Sequence, residues 1–144
     1  MSHIIKISEA CTIAFHVMVY LYAKKDNRVC SRDISDTFKI SEAHLQKVIQ
    51  RLGRAQMVIT TRGPAGGIML AKNGGRVTLM QIFEIMEGKL SDDPCLLGKS
   101  VCSGKNCFLQ KISDDISKQI KEYLQETKIS DLGSLCEELR RLSL

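Results

Sequence analysis

Residues Ser31 to Gly53, SRDISDTFKISEAHLQKVIQRLG, decide the fold. Ser31 and Ser41 each precede a short run of helical character, and a serine hydroxyl there can accept from the free backbone N–H groups of a first helical turn. The spacing predicts helices over 32–38 and 42–53, with only Lys39-Ile40 between Phe38 and the second cap, Ser41, the outline of a helix-turn-helix. In the second helix Leu45, Val48, Ile49 and Leu52 share one stripe, which leaves His44, Gln46, Lys47, Gln50, Arg51 and Arg54 largely outside. Side chains of this kind reach phosphate oxygens and base edges: Arg and Lys pair with guanine, Gln with adenine. Any surface helix has a polar outer face, so the neighbouring elements must decide.

Toward the N-terminus, Ala10, Ile13, Ala14, Val17, Met18 and Leu21 recur at helical spacing behind a candidate cap, Ser8, and predict a helix over 8–24. A second stripe, Cys11, Phe15, Val19 and Tyr22, predicts that this helix is covered on most sides, in part by another subunit. Toward the C-terminus, Val58-Ile-Thr-Thr61 reads as a strand, Arg62-Gly-Pro-Ala-Gly-Gly67 as a turn and Ile68-Met-Leu70 as the returning strand. Thr78 and Gln81 fit a capping box opening a helix through Leu79, Ile82, Phe83 and Met86, with Gly88 as its stop. Three helices, a hairpin and a fourth helix make a winged helix, so the expected fold is mainly α with a small β-hairpin.

Beyond Gly88 periodicity is lost, and a loop carries Cys95, Cys102 and Cys107. Leu109, Ile112, Ile116, Ile120 and Leu124, with Tyr123, then mark a helix of about 18 residues whose other face is charged. A long helix with one apolar stripe, placed after a completed core, predicts a homodimer. Ser130 is expected to cap a last helix whose Leu132, Leu135, Leu139 and Leu142 pack back on the body. The resulting plan is a winged helix-turn-helix over 1–88, a cysteine loop over 89–107, a dimerisation helix over 108–127 and a C-terminal helix over 128–144.

The chain has 144 residues, 44% of them apolar, enough for one core. Between Lys24 and Arg62 stand nine basic residues (Lys24, Lys25, Arg28, Arg32, Lys39, Lys47, Arg51, Arg54, Arg62) and four acidic ones (Asp26, Asp33, Asp36, Glu42). The difference, nine minus four, equals the whole net charge of +5. That concentration is the footprint of a polyanion partner, and the interleaved helix-turn-helix makes double-stranded DNA the expected one. Gln46 and Lys47 are candidates for base contacts, with Gln50, Ser41 and His44 on the same face. Lys39, Arg51 and Arg54 are candidates for phosphate contacts, while Arg62 and Gly63 at the hairpin tip would reach the adjacent minor groove. The apolar stretch Ala10–Ala23 falls short of the roughly 20 residues of a membrane span, and no signal segment is recognisable, so a cytoplasmic protein without a membrane partner is expected.

In a reducing compartment six cysteines point to metal or redox chemistry rather than disulfides. Structural zinc favours tight cysteine pairs on a knuckle. The wider spacing of Cys95, Cys102 and Cys107 on a glycine-containing loop suits three thiolates wrapped around an iron-sulfur cluster, of four-iron or two-iron type. A three-cysteine zinc site and a thiol-disulfide switch are the alternatives, and Lys99 and Lys105 would favour thiolate in every case. Three thiolates leave a coordination position open; Glu9 from the partner subunit is the candidate for it, although an acidic residue there also favours a helix N-terminus electrostatically. Cys11, Cys30 and Cys136 read as small buried side chains and His16 as a hydrogen-bonded interior residue. No catalytic triad, paired loop carboxylates or phosphate-binding glycine loop can be assembled, so an enzyme is not expected.

Asp33-Ile-Ser35, Ile40-Ser41, Leu45, Arg51-Leu52, Val58, the Arg62-Gly-Pro-Ala-Gly-Gly67 wing and the three loop cysteines together resemble the Rrf2 family of winged-helix regulators over nearly the whole chain. The family includes iron-sulfur and nitric oxide sensors. The resemblance implies a homodimer crossed through the long helix and bound to palindromic promoter DNA. It also implies a cluster on Cys95, Cys102 and Cys107 whose state alters DNA affinity. Gln110 stands where one branch of the family has a histidine ligand, whereas Glu9 matches the acidic ligand that another branch takes from the other subunit. The expected function is that of a DNA-binding regulator, a repressor, controlled by nitric oxide, redox state or iron supply. An iron-sulfur interaction protein on the same scaffold is the remaining alternative.

Overall fold

A computed structural model describes residues 7–25, 27–90 and 107–141, apart from the side chains at 136, 139 and 140. Its centre is α1 (Glu9–Ala23), which Ser8 opens by accepting from the Cys11 backbone N–H at 3.2 Å. Nine of its side chains are buried, Tyr20, Met18 and Leu21 almost completely, because α1 is apolar on nearly every side. The cover comes from the same chain: α3 (Glu42–Arg54), α4 (Leu79–Glu87), the hairpin and α6 (Gly133–Arg141) all pack against α1. Truncating a fully buried member such as Leu52 or Ile82 to alanine costs about 2–5 kcal/mol.

The helix-turn-helix forms as expected, with one change at its start. α2 spans Ser31–Phe38, so Cys30, not Ser31, holds the capping position, and its side chain makes no capping bond. Lys39 takes a left-handed backbone (φ 55°), its N–H bonded back to the Ser35 carbonyl, and this reverses the chain within one residue. Ser41 then caps α3 by accepting from the His44 N–H at 3.2 Å.

The wing is an antiparallel pair, β1 (Val58–Thr61) and β2 (Gly67–Leu70), with Val58 opposite Leu70 and Thr61 opposite Gly67. Val29 extends it by one bridge to Ile68, with two backbone bonds of 2.8 Å. Gly67 permits that bridge: its φ is 151°, and a Cβ there would stand 3.0 Å from the Val29 carbonyl oxygen.

α4 carries the complete capping box, the Thr78 hydroxyl accepting from the Gln81 N–H at 3.3 Å and Gln81 Oε1 from the Thr78 N–H at 2.9 Å. Gly88, at φ 86°, ends it. The long helix is α5 (Phe108–Glu126). The segment after it runs back along the start of α4, where the Ile129 N–H donates to Val77 and the Leu79 N–H to Thr127, at 3.0 and 2.9 Å. This pairing delays the last helix: Ser130 lies exposed in a 3-10 turn (Ile129–Asp131) instead of capping α6, which begins only at Gly133. Leu132 and Leu135 pack on the core, whereas Leu139 and Leu142 lie outside the described side chains. His16, expected inside, is exposed; its Nδ1 lies 2.7 Å from the Thr12 carbonyl oxygen, and its ring meets Phe38 edge-on at 5.7 Å.

Candidate nucleic-acid interface and cysteine site

The buried stripe Leu45, Val48, Ile49 and Leu52 sets the rotation of α3, and Gln46, Lys47, Gln50 and Arg54 are exposed as a result. The helix and the wing enclose an open groove. Gln46, Gln50 and Arg54 line one side, and Thr60, Arg62 and Gly63 the other. Among the described residues no carboxylate lines it. Ser41 and Lys39 are exposed at the turn that leads into α3. Arg28, which sequence reasoning placed only within the basic segment, donates from Nη1 to the Ala65 carbonyl at 3.1 Å and so holds the wing tip against the start of the helix-turn-helix. Arg32 pairs with Glu42 at 3.6 Å on the surface, a contact of small energetic weight.

Arg51 and His44 stand on the flank of α3 away from the wing. Arg51 Nη1 donates to the Met86 carbonyl at 3.0 Å, in the last turn of α4. His44 Nδ1 lies 3.8 Å from Oε2 of Glu9, whose side chain is 75% exposed in the first turn of α1. Next to Glu9, the Ser8 hydroxyl and backbone N–H both donate to Glu87 Oε1, the latter at 3.3 Å. The start of α1, the end of α4 and the rear of α3 therefore meet at one corner, where Gly88 ends α4.

Cys107 is half-buried at the capping position of α5, one turn before Gln110. Its side chain makes no capping bond to α5. Cys95 and Cys102 lie outside the described residues. Among the described residues, no group of three or more His, Cys, Asp or Glu side chains is gathered as a metal site. Cys11 is fully buried, as expected, and burial, with the Glu87 carboxylate second, pushes its thiol up to about 12. Cys30 is not buried: it is exposed and lines the groove beside the wing. The β-bridge at Val29 ends the chain's cover one residue too early to enclose it.

A family model described as "Iron-dependent Transcriptional regulator", Rrf2, matches residues 7–134. The chain is 27% identical over 132 residues to the transcriptional regulator NsrR of Oceanobacillus iheyensis, covering 90% of each. It is 28% identical over 101 residues to the regulator IscR of Xenorhabdus nematophila, covering 69% of this chain and 61% of that one. Its fold superposes on the structure of CymR, described as the global cysteine regulator of B. subtilis, with a TM-score of 0.72, 28% identity and coverage of 92% of this chain and 98% of that one. These relatives are transcription regulators and not enzymes. Among the described residues no helix is long and apolar enough to cross a membrane.

Proposed function

Because the chain belongs to the Rrf2 family of transcription regulators, we propose that it is a homodimeric repressor of promoter DNA whose affinity depends on an iron-sulfur cluster held by Cys95, Cys102 and Cys107, with Glu9 as a further ligand. The observation that carries the DNA reading is the carboxylate-free groove between α3 and the wing. DNA phosphates repel carboxylates, and a basic groove whose described lining has none is suited to a polyanion. In this reading Gln46 and Lys47 meet base edges, Lys39, Gln50 and Arg54 take phosphates or sugar edges, and Arg62 with Gly63 enters the minor groove. Ser41 and His44 border the same face, where Ser41 also fixes the N-terminus of α3. Arg51, with its guanidinium on the Met86 carbonyl, fixes the tilt of α3 in addition to offering its remaining N–H donors to the backbone.

A homodimer accounts for the bare side of α5. Phe108, Leu109, Ile112 and Tyr123 are 72%, 46%, 54% and 60% exposed. Four large apolar groups along one helix form the kind of patch that a second copy covers. Two copies present two α3 helices, so the operator would be palindromic.

The description of the family as iron-dependent, together with the three loop thiols, supports an iron-sulfur cluster. Such a cluster supplies an inorganic core that nitric oxide, oxidants or iron shortage can alter. The chain's part is to carry that alteration to the reading helix, and the corner of Ser8, Glu9, Met86 and Glu87 is placed to do so: it roots the loop and touches His44 and Arg51. The likeness to CymR and the exposed thiol of Cys30 in the groove favour a second reading, a thiol-controlled repressor with the same DNA face. Operator binding measured against salt, with Gln46→Ala beside Arg54→Ala, tests the DNA assignment. Gln46→Ala should change base preference, and Arg54→Ala should weaken specific and random DNA alike. Equal effects of both variants on both DNAs would contradict it.

A further inference from the structure

On the side of the wing facing away from the α3 groove, the structure has a second concavity of about 970 Å³, bounded by the end of α1, the hairpin, the 3-10 turn Gly74–Arg76 and the start of α6. Its floor is apolar. Ile59 and Met69 face each other across the hairpin, and Ile59 is left 47% exposed. Tyr22 forms the back wall, and Gly75 lets its ring in, since a Cβ there would stand 2.7 Å from the ring. The rim is cationic. Lys25, Lys72 and Arg76 all border the concavity and are exposed, and among the described residues none of them pairs with a carboxylate. Among the described residues Glu137 of α6 is the one carboxylate on the lining. Lys25 reaches the rim from a left-handed backbone, φ 54°.

We propose that this concavity binds a small organic acid, an apolar ring or branched chain ending in a carboxylate. The apolar body would cover Ile59 and Met69, and the carboxylate would lie among Lys72, Arg76 and Lys25. An inorganic anion would leave the floor wet, and a nucleic-acid backbone would leave it uncovered. The volume suits a compact metabolite. Three cations against one carboxylate select an anion over a neutral or cationic compound of equal size. Ile59 and Ala71 line this concavity and the α3 groove together, so an occupant leans on the wall that the two share and shifts the wing.

The test uses the intact protein with carbon-13 label in the methyl groups of isoleucine and methionine. Cyclohexanecarboxylate is the probe and cyclohexanecarboxamide its neutral control. The Ile59 and Met69 methyl signals should shift saturably with the acid and far less with the amide. In Lys72→Ala/Arg76→Ala, with the remaining methyl signals in place as proof of folding, the acid should bind about tenfold more weakly. No saturable shift, an equal shift with the amide, or unchanged affinity in the double variant would overturn the site. Loss of operator affinity by that variant without any acid present would also overturn it, since the cations would then belong to the DNA interface.

Discussion

Arg51 of α3 donates to the backbone carbonyl of Met86 at 3.0 Å, across 35 residues of sequence. This bond fastens α3 to the end of the helix from which the cysteine loop departs. It adds a polar tie to the packing of α3 on α4, since Met86 itself lies in the core beside Leu45, Ile49 and Leu52.

Arg51 and Arg54 should consequently behave differently when truncated. Arg51→Ala leaves the Met86 carbonyl without its charged donor and should lower stability by about 1–2 kcal/mol in urea unfolding. Arg54, exposed in the groove, should leave stability within about 0.5 kcal/mol of the parent. Arg54→Ala should instead lower the salt slope of operator binding by about one. Equal stability losses would show that Arg51 has no role as a fastening.

Glu9→Ala should destabilise the bound cluster without unfolding the chain, since the carboxylate is 75% exposed and its His44 contact is long. Mixed dimers separate the origin of the ligand. One chain carries Glu9→Ala and the other carries alanine at Cys95, Cys102 and Cys107. One complete site per dimer forms if Glu9 comes from the partner, and none if it serves its own loop, beside whose root Ser8 holds it. Iron content per mixed dimer distinguishes the two, and full cluster stability in the Glu9→Ala homodimer would remove Glu9 from the ligand set.

Ile112→Asp should break the proposed homodimer. Burying a large aliphatic side chain is worth about 1.5–3 kcal/mol, and both copies lose it, so the dimer constant should weaken by about a hundredfold or more. Sedimentation would report monomer at micromolar concentration, with operator affinity falling alongside. An unchanged dimer would place the interface elsewhere.

The cysteines should sort by burial. Cys30 should react with a thiol reagent in the native protein, and Cys11 only after unfolding. The folded pKa of Cys11 is raised from 9.0 to about 12, so its contribution to stability is complete below pH 9 and is lost as pH climbs from there to about 12. Replacing Cys11 by alanine should flatten this part of the pH–stability curve. A curve as steep as the parent's would mean that another group causes the alkaline loss.

Much of the fold was legible because its signals are local. The Leu45, Val48, Ile49 and Leu52 stripe, the Ser41 cap and the Thr78–Gln81 box each depend on residues within a few positions of one another, and all formed as read. What sequence reading missed depends on distant partners. Ser130 lost its capping role because residues 127–129 pair with 77–79, and Arg51 shows its role only when Met86 is beside it. Cys30 looked like a core residue and lies at the edge of a bridge, a position that no short-range pattern encodes. The outward face of α3 was legible for the same reason as its core: four buried positions determine which others face out. The loop cysteines were visible as a spacing, but only Cys107 falls within the described residues.

The most direct test of the account is a paired measurement on protein purified without oxygen: iron and sulfide content with the visible spectrum, and operator affinity before and after the cluster is removed. The account predicts a brown protein with iron and sulfide in equal amounts, absorbance lost in variants of Cys95, Cys102 or Cys107, and an operator affinity that changes at least about tenfold on removal. Colourless protein containing zinc or no metal, or brown protein whose operator affinity is the same with and without its cluster, would contradict it.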